Sequence, residues 1–186
     1  MVLGLDISTS ITGYCIMDSS APLGDRLLVT DSINLTKEKD SYSKASVVRE
    51  LFENLKKEYV IDEIYVEENL QAFRRGLSSA KTLSTLARFN GIVSFLAQDI
   101  FQTSVKMLNV NHARKSVGLK TDRKIKKEVS IKEQVVNWVK LQPDFKNFVW
   151  PTKTLKSGPR KGMTITAPRS FDIADASVIC LAGLSI

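Results

Sequence analysis

Two short apolar runs, VLGLDI and ITGYCIMD, open the chain on either side of a Ser8-Thr9-Ser10 turn. Each has the length of a strand, and the pattern predicts a β-hairpin. RLLVTDSINL adds a third strand and completes an antiparallel meander. From Tyr42 to Tyr59 the apolar positions Ala45, Val48, Leu51, Phe52 and Leu55 recur at three- and four-residue spacing, the stripe of an amphipathic helix. IDEIYVEE alternates and is rich in β-branched and aromatic residues, so a fourth strand is expected to run into two glutamates. Beyond the polar loop NLQAFRRG, a long helix is predicted from about Leu77 to Ile100, with Leu83, Leu86, Ala87, Ile92, Val93, Leu96 and Ala97 on its apolar side. TSVKMLNV reads as a fifth strand, Asn111–Val117 as a short helix, and about Lys124 to Leu141 as another. Residues 142–170 hold four of the five prolines and read as loop, while FDIADASVICLAGL is a closing helix, apolar except for two aspartates.

Three strands, a helix, a strand, a helix, a strand and then helices define an α/β domain with a mixed five-stranded sheet. Its first three strands are antiparallel and helices flank it. No repeat or linker divides residues 1–186, so one domain is expected. The loop at 142–170 is too long for a plain connection, so it is either functional or mobile. A hydrophobic content of 43% and a mean hydropathy of −0.08 belong to an ordinary globular chain. No apolar run approaches the length of a bilayer, and the start of the chain lacks the basic region of a signal peptide, which points to a soluble protein of the cytoplasm with no membrane partner. Cys15 and Cys180 lie in apolar surroundings and read as buried thiols.

Charge changes this picture because it is uneven. Residues 106–169 carry 16 Lys and Arg against 4 acids, and the rest of the chain 11 against 16. A basic half suits a surface that meets phosphates, or else a solvated face with no partner.

Four acids stand where burial is expected. Asp6 ends an apolar strand, Glu67 ends IDEIYVE, and Asp172 and Asp175 lie three apart on one face of an apolar helix. A buried carboxylate is costly unless it is paired or holds a cation. Four of them together are the hard oxygen ligands that Mg²⁺ or Mn²⁺ takes. Two such ions, about 4 Å apart, support in-line phosphodiester hydrolysis. Each acid also has a structural reading: Asp6 can cap the turn, Glu67 and Glu68 can be strand-end charges, and Asp172 can cap the last helix. Asp175, one turn further in among apolar residues, is the hardest to explain that way.

LGLDISTSITGY, YVEEN and DIADAS resemble the RuvC-type Holliday junction resolvases of the RNase H-like superfamily, with a possible leaning toward phage or other viral members. LSSAKTLSTLARFNGIVSFLAQ and KEQVVNWV extend the resemblance over nearly the whole chain. It implies an RNase H-like fold and a Mg²⁺-dependent endodeoxyribonuclease of DNA recombination and repair that resolves four-way junctions. It also implies ligand roles for Asp6, Glu67, Asp172 and Asp175. Glu67 is preferred to Glu68, because neighbours on a strand point to opposite faces. Lys132 matches a basic residue near the scissile phosphate in the family, and Lys115 is a looser second. A homodimer packed through the long helix is implied as well. One departure is Ile7-Ser8, where the bacterial pattern has Pro-Gly after the first aspartate.

The basic segments are candidate DNA contacts. The loop before the two aspartates carries Lys153, Lys156, Arg160, Lys161 and Arg169, and GLKTDRKIKKEV carries Lys120, Arg123, Lys124 and Lys127. Arg74 and Arg75 beside Phe73 can form a junction-contacting loop with an apolar wedge, or Phe73 can be a helix-entry staple. His112, the only histidine, argues against a histidine-rich zinc site. Trp138 and Trp150 read as core or loop anchors. Three other readings stay open: a broader flap, fork and branched-DNA nuclease, a phosphotransfer ATPase of the actin-like superfamily, and a non-catalytic nucleic-acid-binding module. Against the ATPase stands a length that leaves no room for a second domain, and there is no Walker motif.

Overall fold

The computed structural model describes residues 1–68 and 80–186. Strands β1 (Val2–Asp6), β2 (Ile11–Met17) and β3 (Leu27–Asn34) form the expected antiparallel meander. Helix α1 (Ser41–Glu58) follows, then β4 (Glu63–Glu67), α2 (Ala80–Phe101) and β5 (Val105–Leu108). Both β4 and β5 join in parallel, so the sheet order is β3-β2-β1-β4-β5. The chain ends through α3 (Val110–Ser116), α4 (Ile131–Lys140) and α5 (Arg169–Gly183).

Alternation along the central strands sorts side chains onto the two faces of the sheet. Leu3, Leu5, Ile16, Ile64 and Val66 are buried under α1 and α2 with Phe52, Phe89 and Val93. Val2, Cys15, Met17 and Tyr65 are buried on the other face with Ala176, Ile179 and Cys180 of α5 and Val135, Val136 and Val139 of α4. Cys15 and Cys180 are both free thiols within that second core. Helix α5 lies unusually close to the sheet. A Cβ added at Gly4 would stand 2.5 Å from the Cys180 backbone nitrogen, so only glycine there admits the helix. Among the described residues no helix is long and apolar enough to cross a membrane.

Three expectations need correction. Helix α4 begins at Ile131, not near Lys124. Ser130 accepts from the Glu133 N–H while the Glu133 carboxylate accepts from the Ser130 N–H, a capping box that fixes the start. The basic residues before it lie in turns, pinned by Gln134, whose amide donates to the Asp122 and Val129 carbonyls. The 142–170 segment is not plain loop. It holds a 3-10 turn at Pro143–Phe145 and a two-stranded ribbon, β6 (Thr152–Thr154) and β7 (Thr164–Thr166). Trp150 anchors the stretch between them against Phe145 and Phe148. Finally, the early turns of α2 stand away from the core: Ala87 is exposed, Leu83 and Leu86 are half-buried, and burial starts at Phe89.

Candidate active site

Parallel pairing of β1 with β4, in the register Leu5↔Val66, brings the ends of the two strands side by side, and with them Asp6 and Glu67. Antiparallel pairing sets Gly13 of β2 opposite Asp6, and the backbone of Asp172 rests on that glycine. The first turns of α5 therefore cross the same edge of the sheet. Asp172 and Asp175, three residues apart, face the strand ends together.

The turn after Asp6 is closed by Ser8, whose hydroxyl accepts from the Ile11 N–H at 3.0 Å and donates to the Ile11 carbonyl at 2.6 Å. Asp6 is thus not the cap of its turn. Nor does Asp172 cap α5, whose N-cap position is Pro168.

Asp6, Glu67, Asp172, Asp175 and Lys132 line one cleft of about 700 Å³, with Glu68, Leu83, Leu86, Arg114 and Phe171 in its walls. Both glutamates border the cleft, and Glu67 is the one whose charge acts on Asp6. Burial drives the Asp6 carboxyl well above the usual carboxylate range, and the charges of Glu67, Asp175 and Asp172 push it further. Burial and the Asp175 charge raise Glu67 to about 7, against the opposing pull of Arg114 and Lys132. Asp172 and Asp175 are also raised, chiefly by burial. Lys132, whose ammonium lies 5.8 Å from the centre of the Phe171 ring, eases all four.

Asp6 is repelled by the other three carboxylates and Glu67 by Asp175, while at Asp172 the pull of Lys132 and at Asp175 that of Arg114 exceeds any repulsion, so burial is what raises those two. An all-oxygen donor set with surplus negative charge suits a hard divalent cation. Among the described residues, however, no three acids are gathered into a finished cation cage. Asp175 accepts instead from the Arg114 guanidinium at 3.2 Å.

Arg114 is the residue that sequence reasoning missed. Its signal is slight: one of two cations in a short helix following a strand end. The neighbouring Lys115 lines a different cleft, of about 310 Å³, together with Arg114, Lys120 and Arg123. His112 is exposed at the surface. Phe73, Arg74 and Arg75 lie outside the described residues.

The chain has the RNase H-like fold of the Holliday junction resolvases. T. thermophilus RuvC bound to a Holliday junction superposes with a TM-score of 0.59 at 15% identity, covering 97% of this chain and 90% of that one. The yeast mitochondrial Holliday junction resolvase gives 0.55 at 14% identity, covering 99% and 77%. The fowlpox virus resolvase, in complex with Holliday junction DNA, gives 0.50 at 16% identity, covering 98% and 95%. No protein-family model and no curated protein matches the sequence.

Proposed function

We propose that the protein is a structure-specific endonuclease that resolves four-way DNA junctions by metal-assisted phosphodiester hydrolysis. The observation that carries this reading is the convergence of Asp6, Glu67, Asp172 and Asp175 with Lys132 in one cleft. That cleft sits in a fold shared with resolvases, two of them bound to Holliday junctions.

In this reading the four carboxylates would hold divalent cations, Mg²⁺ with Mn²⁺ as a substitute, two to a site. Such ions would supply an activated water and neutralise charge at the scissile phosphate. The chain's own residues do the rest. Lys132 places a fixed positive charge among the acids, where a phosphate would otherwise be repelled. Burial of the strand ends keeps the carboxylates desolvated and so strengthens each electrostatic interaction.

DNA is held by the basic surface around α4. Lys115, Lys120 and Arg123 line the neighbouring cleft, and Lys124 and Lys127 continue it along the turns before α4. The β6–β7 ribbon brings Lys153, Lys156, Arg160 and Lys161 to the same region, since the Arg160 charge acts on Glu133 of α4. A homodimer packed through α2 would present two such sites to symmetry-related strands. The exposed Phe95 on that helix supports it.

The experiment is a cleavage panel of synthetic four-way junctions, flaps, forks and linear duplex in Mg²⁺, with cut sites mapped. Symmetric nicks confined to the four-way junction are expected. Equal cutting of linear duplex would overturn the junction assignment, and cutting of flaps and forks as well as junctions would widen it.

A further inference from the structure

Arg114 sits in the wall between two clefts of opposite character. On one side it lines the acid cleft and donates to Asp175. On the other it lines the smaller cleft with Lys115, Lys120, Arg123 and the backbone at Gly118, and none of that cleft's lining residues is acidic. Its side chain is 22% exposed and that of Asp175 14%, so neither charge has enough water to stand alone. A guanidinium carries five N–H donors in a rigid fork. Here the Nε–H is buried without a partner among the described residues. Asp175 therefore leaves part of the fork unused.

We infer that Arg114 is an exchangeable counter-ion: it neutralises Asp175 while the acid cleft lacks a cation, and it turns to a DNA backbone phosphate in the adjoining basic cleft once a divalent cation takes over the carboxylates. This rests on the nuclease reading above and adds to it a coupling between two ligands. A cation in the acid cleft replaces the guanidinium as partner of Asp175 and repels it. A phosphate in the basic cleft offers the fork a new acceptor with matching geometry. Each ligand thus removes the competitor of the other, so cation and DNA bind cooperatively, and by thermodynamic reciprocity each tightens the other by the same factor. Protein that lacks either ligand keeps its carboxylates partly neutralised and its phosphate site partly withdrawn.

The test measures coupling, not turnover. Junction DNA affinity is read by fluorescence anisotropy in Ca²⁺ and in EDTA, with intactness of the DNA checked on a gel. Ca²⁺ affinity of the DNA-free protein is read by calorimetry. Wild type is expected to bind the junction about tenfold more tightly in Ca²⁺, within the usual range for coupled sites. Arg114→Met is expected to bind Ca²⁺ more tightly than wild type without DNA, yet to lose most of the Ca²⁺-dependent gain in DNA affinity. Arg114→Lys, which keeps the charge but loses the fork, should fall between, and it carries the test if the methionine variant fails to fold. A wild-type gain in both variants, or Ca²⁺ binding in Arg114→Met no tighter than in wild type, would overturn the exchange alone. Failure of wild type to bind junctions under either condition would overturn the nuclease reading together with it.

Discussion

Gly13 and Asp172 are in backbone contact: a Cβ built at position 13 would stand 2.1 Å from the Asp172 carbonyl oxygen and 2.6 Å from its carbonyl carbon. The obstruction is main chain, which cannot swing aside as a flexible side chain can. Since Gly13 pairs with Asp6, this contact fixes the distance between the strand that carries one acid and the helix that carries two. Gly13→Ala must therefore push α5 off the sheet. A loss of about 1–3 kcal/mol is expected from overpacking, a fall in Tm of roughly 2–4 °C per kcal/mol. Junction cleavage should fall further than stability does, because Asp172 moves with the helix. Thermal melts and cleavage assays on the same preparation check both.

The raised carboxylates make a pH prediction with a definite sign. Glu67 moves from its ordinary 4.5 to about 7, and Asp6, Asp172 and Asp175 are raised too. Between those values the folded protein binds more protons than the unfolded chain, so stability is full below pH 4.5 as far as this group is concerned and is lost as pH rises through 7. Metal-free protein should show a falling Tm contribution across that window. Mg²⁺ should restore it at high pH, where protons no longer compete. Glu67→Gln should flatten the dependence. Tm measured against pH with and without Mg²⁺ tests this, and a wild-type slope in Glu67→Gln would count against it.

Asp144 gives a contrast remote from the cleft. Its side chain is 1% exposed and is paired with the Arg26 guanidinium at 2.7 Å. It also accepts from the backbone N–H groups of Gly24 and Arg26. Burial alone would raise this carboxyl, but the Arg26 and backbone hydrogen bonds outweigh burial and hold it below its usual value. Asp144→Ala should cost about 3 kcal/mol, at the low end for a broken buried pair because Arg26 keeps some water. The wild-type contribution should vanish as pH falls through the carboxyl's depressed value. Denaturant melts of wild type and variant at neutral and acid pH measure it, and junction binding should be unchanged.

Much of the fold was legible because each central element has one dominant periodicity. β1 and β2 are short apolar runs on either side of a Ser-rich turn, and α1 shows an unbroken stripe whose residues Ala45, Val48, Phe52 and Leu55 are buried. The acids were legible for the same reason, since each interrupts an apolar pattern. Other features were hidden by competing signals. Helix-favouring lysines before Ser130 mask a capping box that stops the helix there. The strands of β6 and β7 are short and threonine-rich with no core beneath them, so they show no alternation. Arg114 meets Asp175 across 61 residues of chain, and that contact exists only in the folded protein.

The β6–β7 ribbon allows a prediction about salt. A two-stranded ribbon with exposed cations can lie in a groove or along a strand, and each phosphate it neutralises releases counterions. Replacing Lys153, Lys156, Arg160 and Lys161 with alanine should weaken junction binding and lower the slope of log K against log salt. The drop should be at most about 4, one per lost contact. Anisotropy titrations from low to moderate salt measure it, and an unchanged slope would remove the ribbon from the DNA interface.

Asp6, Glu67, Asp172 and Asp175 are proposed to form one cation-dependent hydrolytic site. The most direct measurement is nicking of a synthetic four-way junction by wild type, Asp6→Asn and Asp175→Asn, each in Mg²⁺ and in EDTA, with junction binding measured in parallel. Nicking is expected from wild type in Mg²⁺ alone, with both variants inactive yet still binding the junction. Full nicking in EDTA, or by either variant, would contradict it.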